Sequence, residues 1–257
     1  MNNSIWRRLF LIGAICLIST LTFSNERSLA LENKPDWEYS GAANPTHWNE
    51  LSPEYKLCKA GHAQSPININ GDREGEPAKV EFNYQPTTAE VINTGHTIQV
   101  NYEPGSTVKI DDEVYELKQF HFHTPSEHKI NNDASAMEVH FLHQNAAGEL
   151  AVVGVMMNSG AENLVIASIW NAIGDRNQQS GKALLNAANL LPENKTYWSY
   201  TGSLTTPPCS EGVSWNVLSE PIELSSEQIA TFESIYPYNA RPIKPLDGRT
   251  VEFHPAK

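Results

Sequence analysis

Tyr115-Glu116-Leu117-Lys118-Gln119-Phe120-His121-Phe122-His123 is the stretch whose reading decides the fold. Side chains two apart on a β-strand share a face. The spacing predicts a strand with Tyr115, Leu117, Gln119, His121 and His123 on one side. Glu116, Lys118, Phe120 and Phe122 take the other, the two phenylalanines as core behind the histidines. A second run, Glu138-Val139-His140-Phe141-Leu142-His143-Gln144, turns Glu138, His140 and Leu142 one way and Val139, Phe141 and His143 the other. Were the two strands neighbours, His140 would join His121 and His123. Three neutral imidazoles with an open fourth position are the ligand set of a catalytic zinc; structural sites more often close with four ligands, thiolates among them. Gln119 and Glu138 stand two residues before a histidine on the same face, placed to orient His121 and His140 through their second ring nitrogen. Spacing alone leaves a second chemistry open. A cupin-type metal dioxygenase also carries His-x-His with a glutamate soon after, and Glu127 stands at such a distance.

Outward from this pair of strands the chain reads as β-rich. Strand-like runs fall at 80–84, 90–93, 97–102, 114–123, 137–144, 150–157 and 213–217. Helical patterns are few. One covers 163–173, apolar on all sides and therefore buried; another is expected at 183–191. Ser225-x-x-Gln228 reads as a capping box opening a third. The pattern predicts a β-rich α+β fold: a single domain around a central twisted, mainly antiparallel sheet with a few surface helices.

The chain has 257 residues. At its start, Trp6-Arg7-Arg8 precedes an apolar run from Leu9 to Phe23, and Ser28-Leu29-Ala30 offers small residues at a peptidase site. Residues 1–30 thus read as a secretory signal peptide, with an uncleaved anchor as the alternative. A short linker, 31–36, would join them to a domain spanning 31–257. The expected location is outside the cytoplasm, in the periplasm or extracellular space, with membrane attachment only if the segment stays uncleaved. Two cysteines remain beyond residue 30, Cys58 and Cys209. An even pair in an exported chain reads as a disulfide, with two free thiols as the alternative. Closing a loop of ~150 residues contributes roughly 4–5 kcal/mol in the chain-entropy account. A formal net charge of −12, with no basic cluster and no phosphate-binding glycine loop, argues against nucleic acid as a partner.

Ser203-Leu204-Thr205-Thr206-Pro207-Pro208 changes the balance between the two metal chemistries. Together with Gln119–His123, Ser126-Glu127-His128 and Glu138-Val139-His140, it resembles the α-class carbonic anhydrases, specifically exported bacterial members. The similarity runs from Trp37-x-Tyr39-Ser40-Gly41 and Gln64-Ser65-Pro66-Ile67, through Asn93-Thr94-Gly95-His96, to Asn239-Ala240-Arg241-Pro242. A cupin has no use for the 204–208 run.

The resemblance implies zinc as cofactor, held by His121, His123 and His140. Gln119, Glu138 and the Asn239 carbonyl would orient those three rings. The implied reaction is reversible hydration of carbon dioxide to bicarbonate and a proton, by zinc-activated hydroxide. Thr205 is implied as the gatekeeper whose hydroxyl donates to Glu127 and whose amide N–H meets substrate. Leu142, Val152, Leu204 and Trp215, with Thr205 and Thr206, would form the carbon dioxide pocket, and His96 would export the proton. By the same resemblance Ser65–Pro66 and Pro207–Pro208 are cis, and Cys58–Cys209 ties the 204–208 loop to the N-terminal region. His47, His62, His128, His143 and His254 are left as structural or solvent-facing. Binding modules on this fold have lost zinc histidines, and this chain keeps all three. Monomer and homodimer are equally compatible with these readings.

Overall fold

A computed structural model describes residues 36–71, 73–77, 79–173 and 180–255. The expected signal segment and residues 31–35 of the linker lie outside the described residues. One large sheet organises the rest. Ten of its thirteen described strands form a main path in the order Ser180–Leu185, Thr87–Asn93, Ile98–Asn101, Glu113–His123, Met137–Gln144, Leu150–Ser159, Glu211–Leu218, Tyr197–Ser203, Glu252–His254 and Arg73–Glu74, and Val80–Asn83, Thr107–Ile110 and Ile222–Leu224 pair beside it. Most neighbours are antiparallel. Leu150–Ser159 runs parallel to Glu211–Leu218 and to Ile222–Leu224, and Glu252–His254 parallel to Arg73–Glu74.

The two histidine strands are direct neighbours, with His121 opposite His140 and His123 opposite Glu138. Their other faces build the main core. Phe120, Phe122, Val139 and Phe141 are fully buried there with Val153 and Val155. The helices Leu164–Ile173 and Ser226–Ile235 cover that core through Ile166, Ile169, Trp170 and Phe232. The capping box is formed as expected: Gln228 N–H donates to Ser225 Oγ at 3.2 Å, and Ser225 N–H to Gln228 Oε1 at 3.0 Å. A second apolar cluster, around Val152, Trp215, Val217 and Tyr200, lies on the histidine side.

Two expectations need correction. A β-bulge breaks the alternation of the first strand: Leu117 pairs with His143 but Gln119 pairs with Leu142, leaving Lys118 unopposed. The extra residue reverses the facing of everything before it. Leu117 therefore packs with Phe120 and Phe122, and Tyr115 packs against Val108, Ile110 and Ala151 rather than sharing the histidine face. The second correction concerns 183–191, expected as a helix. It is the end of the strand Ser180–Leu185, paired to Thr87–Asn93, followed by the 3₁₀ turn Ala187–Leu190. Ala183 and Leu185 are buried while Leu184 is 75% exposed, a period of two that sheet pairing imposes on residues of good helix propensity. Gly181 makes this strand possible, because a Cβ there would sit 1.8 Å from the Ala172 carbonyl oxygen.

Ser65–Pro66 and Pro207–Pro208 are cis, and so is Thr124–Pro125. Cys58 and Cys209 are joined in a disulfide. No helix among the described residues is long and apolar enough to cross a membrane.

Candidate metal centre

The strand register brings His121, His123 and His140 together, with one ring nitrogen from each lying within 4.8 Å of the others. Each ring's remaining nitrogen is engaged. His121 Nδ1 lies 2.9 Å from Gln119 Oε1, His140 Nε2 lies 2.8 Å from Glu138 Oε1, and His123 Nδ1 lies 2.8 Å from the Asn239 carbonyl. These contacts fix each tautomer and turn the other nitrogen inward, as metal-ligating histidines require. His123 Nε2 is fully buried and has no hydrogen-bond partner. A buried polar atom left unpaired is costly and asks for an explanation. Three convergent nitrogens provide one: the residues fit a cation.

Electrostatics agree. Burial, followed by the neighbouring His123 and His140 charges, holds His121 well below the usual imidazole range. Burial also lowers His123, against the pull of Glu127. Burial opposes charge on His140 too, but Glu138 outweighs it and raises that ring. Glu138 itself is pushed up by burial, yet His128 and His140 overcome this and hold it well below the carboxylate range. Its Oε1 takes both His140 and His128 Nδ1 at 2.8 Å, while Oε2 accepts the backbone N–H groups of Glu127 and His128, each at 2.9 Å. Thus His128, Glu138 and His140, although clustered, form a hydrogen-bonded hub. It continues from His128 Nε2 to Tyr200 Oη at 2.6 Å and on to Ser65 Oγ at 2.8 Å.

Glu127 stands beside the three histidines and outside their group. Its Oε1 accepts from Arg241 N–H at 2.7 Å. Its Oε2 lies 3.5 Å from His123 Nε2 and 3.8 Å from His140 Nδ1, with no hydrogen-bond partner. The hydrogen bond from Thr205 to Glu127 implied by the resemblance is not formed among the described contacts. Thr205 is buried beside Leu204, whose N–H donates to Ser210 O at 3.0 Å. Val152 and Trp215 are buried in one apolar cluster, with Leu142 and Leu204 packed against it. Trp215 brings that cluster to the three histidines, its ring centroid 4.8 Å from that of His140. Thr206 is partly buried in the same loop, and its carbonyl accepts from Cys209 N–H at 2.9 Å.

His96 is stacked on Trp37 with centroids 3.8 Å apart, and its Nε2 lies 2.6 Å from the Trp37 carbonyl. Its turn is tied to the strand that carries His121 and His123 by the Asn239 side chain, whose Nδ2 donates to His96 O at 3.0 Å and to Phe122 O at 2.9 Å. Sequence reasoning named Asn239 for its carbonyl and missed this side-chain role. It also passed over Arg241, which is buried, donates to Ser65 O, Cys58 O and Gln64 Oε1, and links the disulfide to Glu127. A lone arginine in a Pro-rich tail offers no periodic signal for such a place.

Known proteins agree with this geometry. Residues 43–255 match the family described as eukaryotic-type carbonic anhydrase. A carbonic anhydrase of Nostoc sp. is 40% identical over 98% of this chain and 98% of its own length. One from Pectobacterium carotovorum is 44% identical, over 84% of this chain and 89% of its own. Among solved structures, the α-carbonic anhydrase from Thermovibrio ammonificans in complex with the inhibitor sulfanilamide superposes with a TM-score of 0.82. It is 42% identical, covering 85% of this chain and 99% of that one. The chain therefore belongs to the eukaryotic-type, or α, carbonic anhydrase family. It is an enzyme of the lyase class, a carbonic anhydrase, with carbon dioxide and bicarbonate as substrates.

Proposed function

We propose that His121, His123 and His140 hold zinc, and that the chain hydrates carbon dioxide outside the cytoplasm. The observation that carries the zinc assignment is the buried, unpaired His123 Nε2 turned toward the two other free imidazole nitrogens. Zinc in such a site supplies a Lewis acid that brings the pKa of water into the neutral range, an effect for which carbonic anhydrase is itself the standard example. Gln119, Glu138 and the Asn239 carbonyl keep the three rings in the tautomers that present those nitrogens.

The other residues then divide the work. Carbon dioxide is uncharged and apolar, and the wall of Leu142, Val152, Leu204 and Trp215 excludes water around it. Glu127 Oε2, which no described group bonds, is the acceptor open to the Thr205 hydroxyl, and the working site would form that hydrogen bond. The hydroxyl oxygen of Thr205 is then oriented as an acceptor, and its amide N–H donates to the substrate oxygen. Thr206 completes the rim. His96 takes the proton released by hydration and gives it to buffer, because an imidazole both accepts and releases protons near neutrality. His96 is half-buried rather than enclosed, which supports its access to buffer. Residues 1–30 direct export to the periplasm or extracellular space, where the Cys58–Cys209 bond persists.

Stopped-flow hydration by the mature chain tests this reading, and His96→Ala tests its proton step. That variant is expected to lower kcat by about tenfold at low buffer with kcat/KM nearly unchanged, and added imidazole should restore turnover. If kcat/KM falls equally, His96 serves binding or structure. If neither changes, another path carries the proton.

A further inference from the structure

Behind the disulfide lies a cavity of about 400 Å³ that the hydration chemistry does not use. Cys58, Lys59, His62, Gln64, Lys244 and Asp247 line it. Lys244 is the one half-buried amine among them, while Lys59 is exposed. Its backbone is fixed: Lys244 N–H donates to Pro66 O at 2.7 Å, next to the Ser65 carbonyl held by Arg241. No hydrogen bond or ion pair engages its Nζ among the described residues. Burial first, then the Arg241 charge, brings this amine down to about 8. A nucleophilic nitrogen is thus kept partly neutral in a protein whose own substrate is an electrophile for amines.

We propose that Lys244 is a carbamylation site, where the amine takes up carbon dioxide reversibly and the resulting carbamate lies between Lys59 and His62. The lone pair of neutral Nζ adds to the carbon. A C–N bond forms, one C–O π pair moves onto oxygen, and the nitrogen releases a proton to water. No oxidant or further reactant is needed. The product exchanges a cation for an anion inside a cavity that carries the Lys59 ammonium and, behind it, the buried Arg241 guanidinium. Asp247 is the carboxylate among the lining residues, and Glu211, whose Oε1 accepts from Gln64 Nε2 at 2.9 Å, stands beside them; these two limit the occupancy. The site would sense carbon dioxide directly beside Cys58, whose carbonyl Arg241 also binds.

Triethyloxonium converts a carbamate into a stable ethyl carbamate that survives digestion, so the full chain can be tested as it stands. The protein is equilibrated with ¹³C-bicarbonate at pH 8, trapped, digested and read by mass spectrometry. An ordinary lysine amine titrates near 10.4, so an amine at about 8 should be labelled on the order of tenfold or more above exposed lysines such as Lys182. Label should vanish without bicarbonate and fall as pH drops below 7. In parallel, ¹³C NMR of the untrapped protein should show a carbamate resonance that Lys244→Arg removes. The readout does not depend on metal or on hydration activity. Labelling of Lys244 no greater than that of Lys182, or a resonance that persists in Lys244→Arg, overturns the proposal.

Discussion

His140 and His143 sit three residues apart on one strand, equally buried, and face opposite sides of the sheet. His143 points into the core, where its Nε2 meets Tyr84 Oη at 2.7 Å and its Nδ1 lies 3.3 Å from Ala151 O. Both of its nitrogens are spent. His140 spends one nitrogen on Glu138 and turns the other toward His121 and His123. Burial does not separate a ligand from a structural histidine; an unspent nitrogen aimed at others of its kind does. The two sides also differ in what holds them. The core side rests on apolar packing of neighbouring strands and helices. The cleft side depends on ties between distant segments: a disulfide spanning 151 residues, Arg241 to Cys58 and Ser65, and Asn239 to His96 and Phe122.

Cutting the longest tie should have the largest effect. Cys58→Ser with Cys209→Ser is expected to cost about 2–5 kcal/mol in urea unfolding. Hydration should also fall, because Cys209 N–H holds the Thr206 carbonyl and so the loop that carries Thr205. Full activity and unchanged unfolding in the double variant would show that the cleft needs no such tie. Next in size, Thr205→Ala should lower kcat/KM about 10²-fold, on the order of 2.7 kcal/mol, while zinc content stays constant. A loss of metal in that variant would place Thr205 in the fold of the site rather than in its chemistry.

The smallest expected effect probes the core side alone. Burial pushes His143 down to about 3. Between about pH 6.5 and 3 the unfolded chain binds a proton there that the folded chain refuses. Its contribution is complete above pH 6.5 and is lost as pH falls toward 3, by about 1.4 kcal/mol per pH unit. Unfolding free energies measured from pH 7 to 5 should therefore slope less steeply in His143→Phe than in the native chain. Equal slopes would mean that His143 is charged in the fold.

The strand pair was legible because a period of two is a local property, and aromatic residues behind the histidines reinforced it. The face of Leu117 was not, since one unopposed residue in a bulge reverses parity and leaves no mark in composition. Residues 183–191 misled for a related reason: alanine and leucine favour helix in isolation, while pairing with Thr87–Asn93 is decided almost a hundred residues away. In the site, Gln119 and Glu138 could be read from i, i+2 spacing. Asn239 became visible only through the family resemblance, because it reaches His123 across the fold, and Glu127, which spacing alone marked as a possible cupin-type ligand, took its place outside the three histidines through that resemblance. The roles of Arg241 and of the Asn239 side chain escaped both routes, most of their partners being backbone carbonyls that carry no sequence signature.

Metal content tests the central claim most directly. Purified chain, loaded with zinc and dialysed, is expected to retain one zinc per molecule by elemental analysis. His140→Ala should retain almost none, and His143→Phe should retain one. Equal zinc in all three, or loss confined to His143→Phe, would contradict the assignment of the three convergent histidines as the metal site.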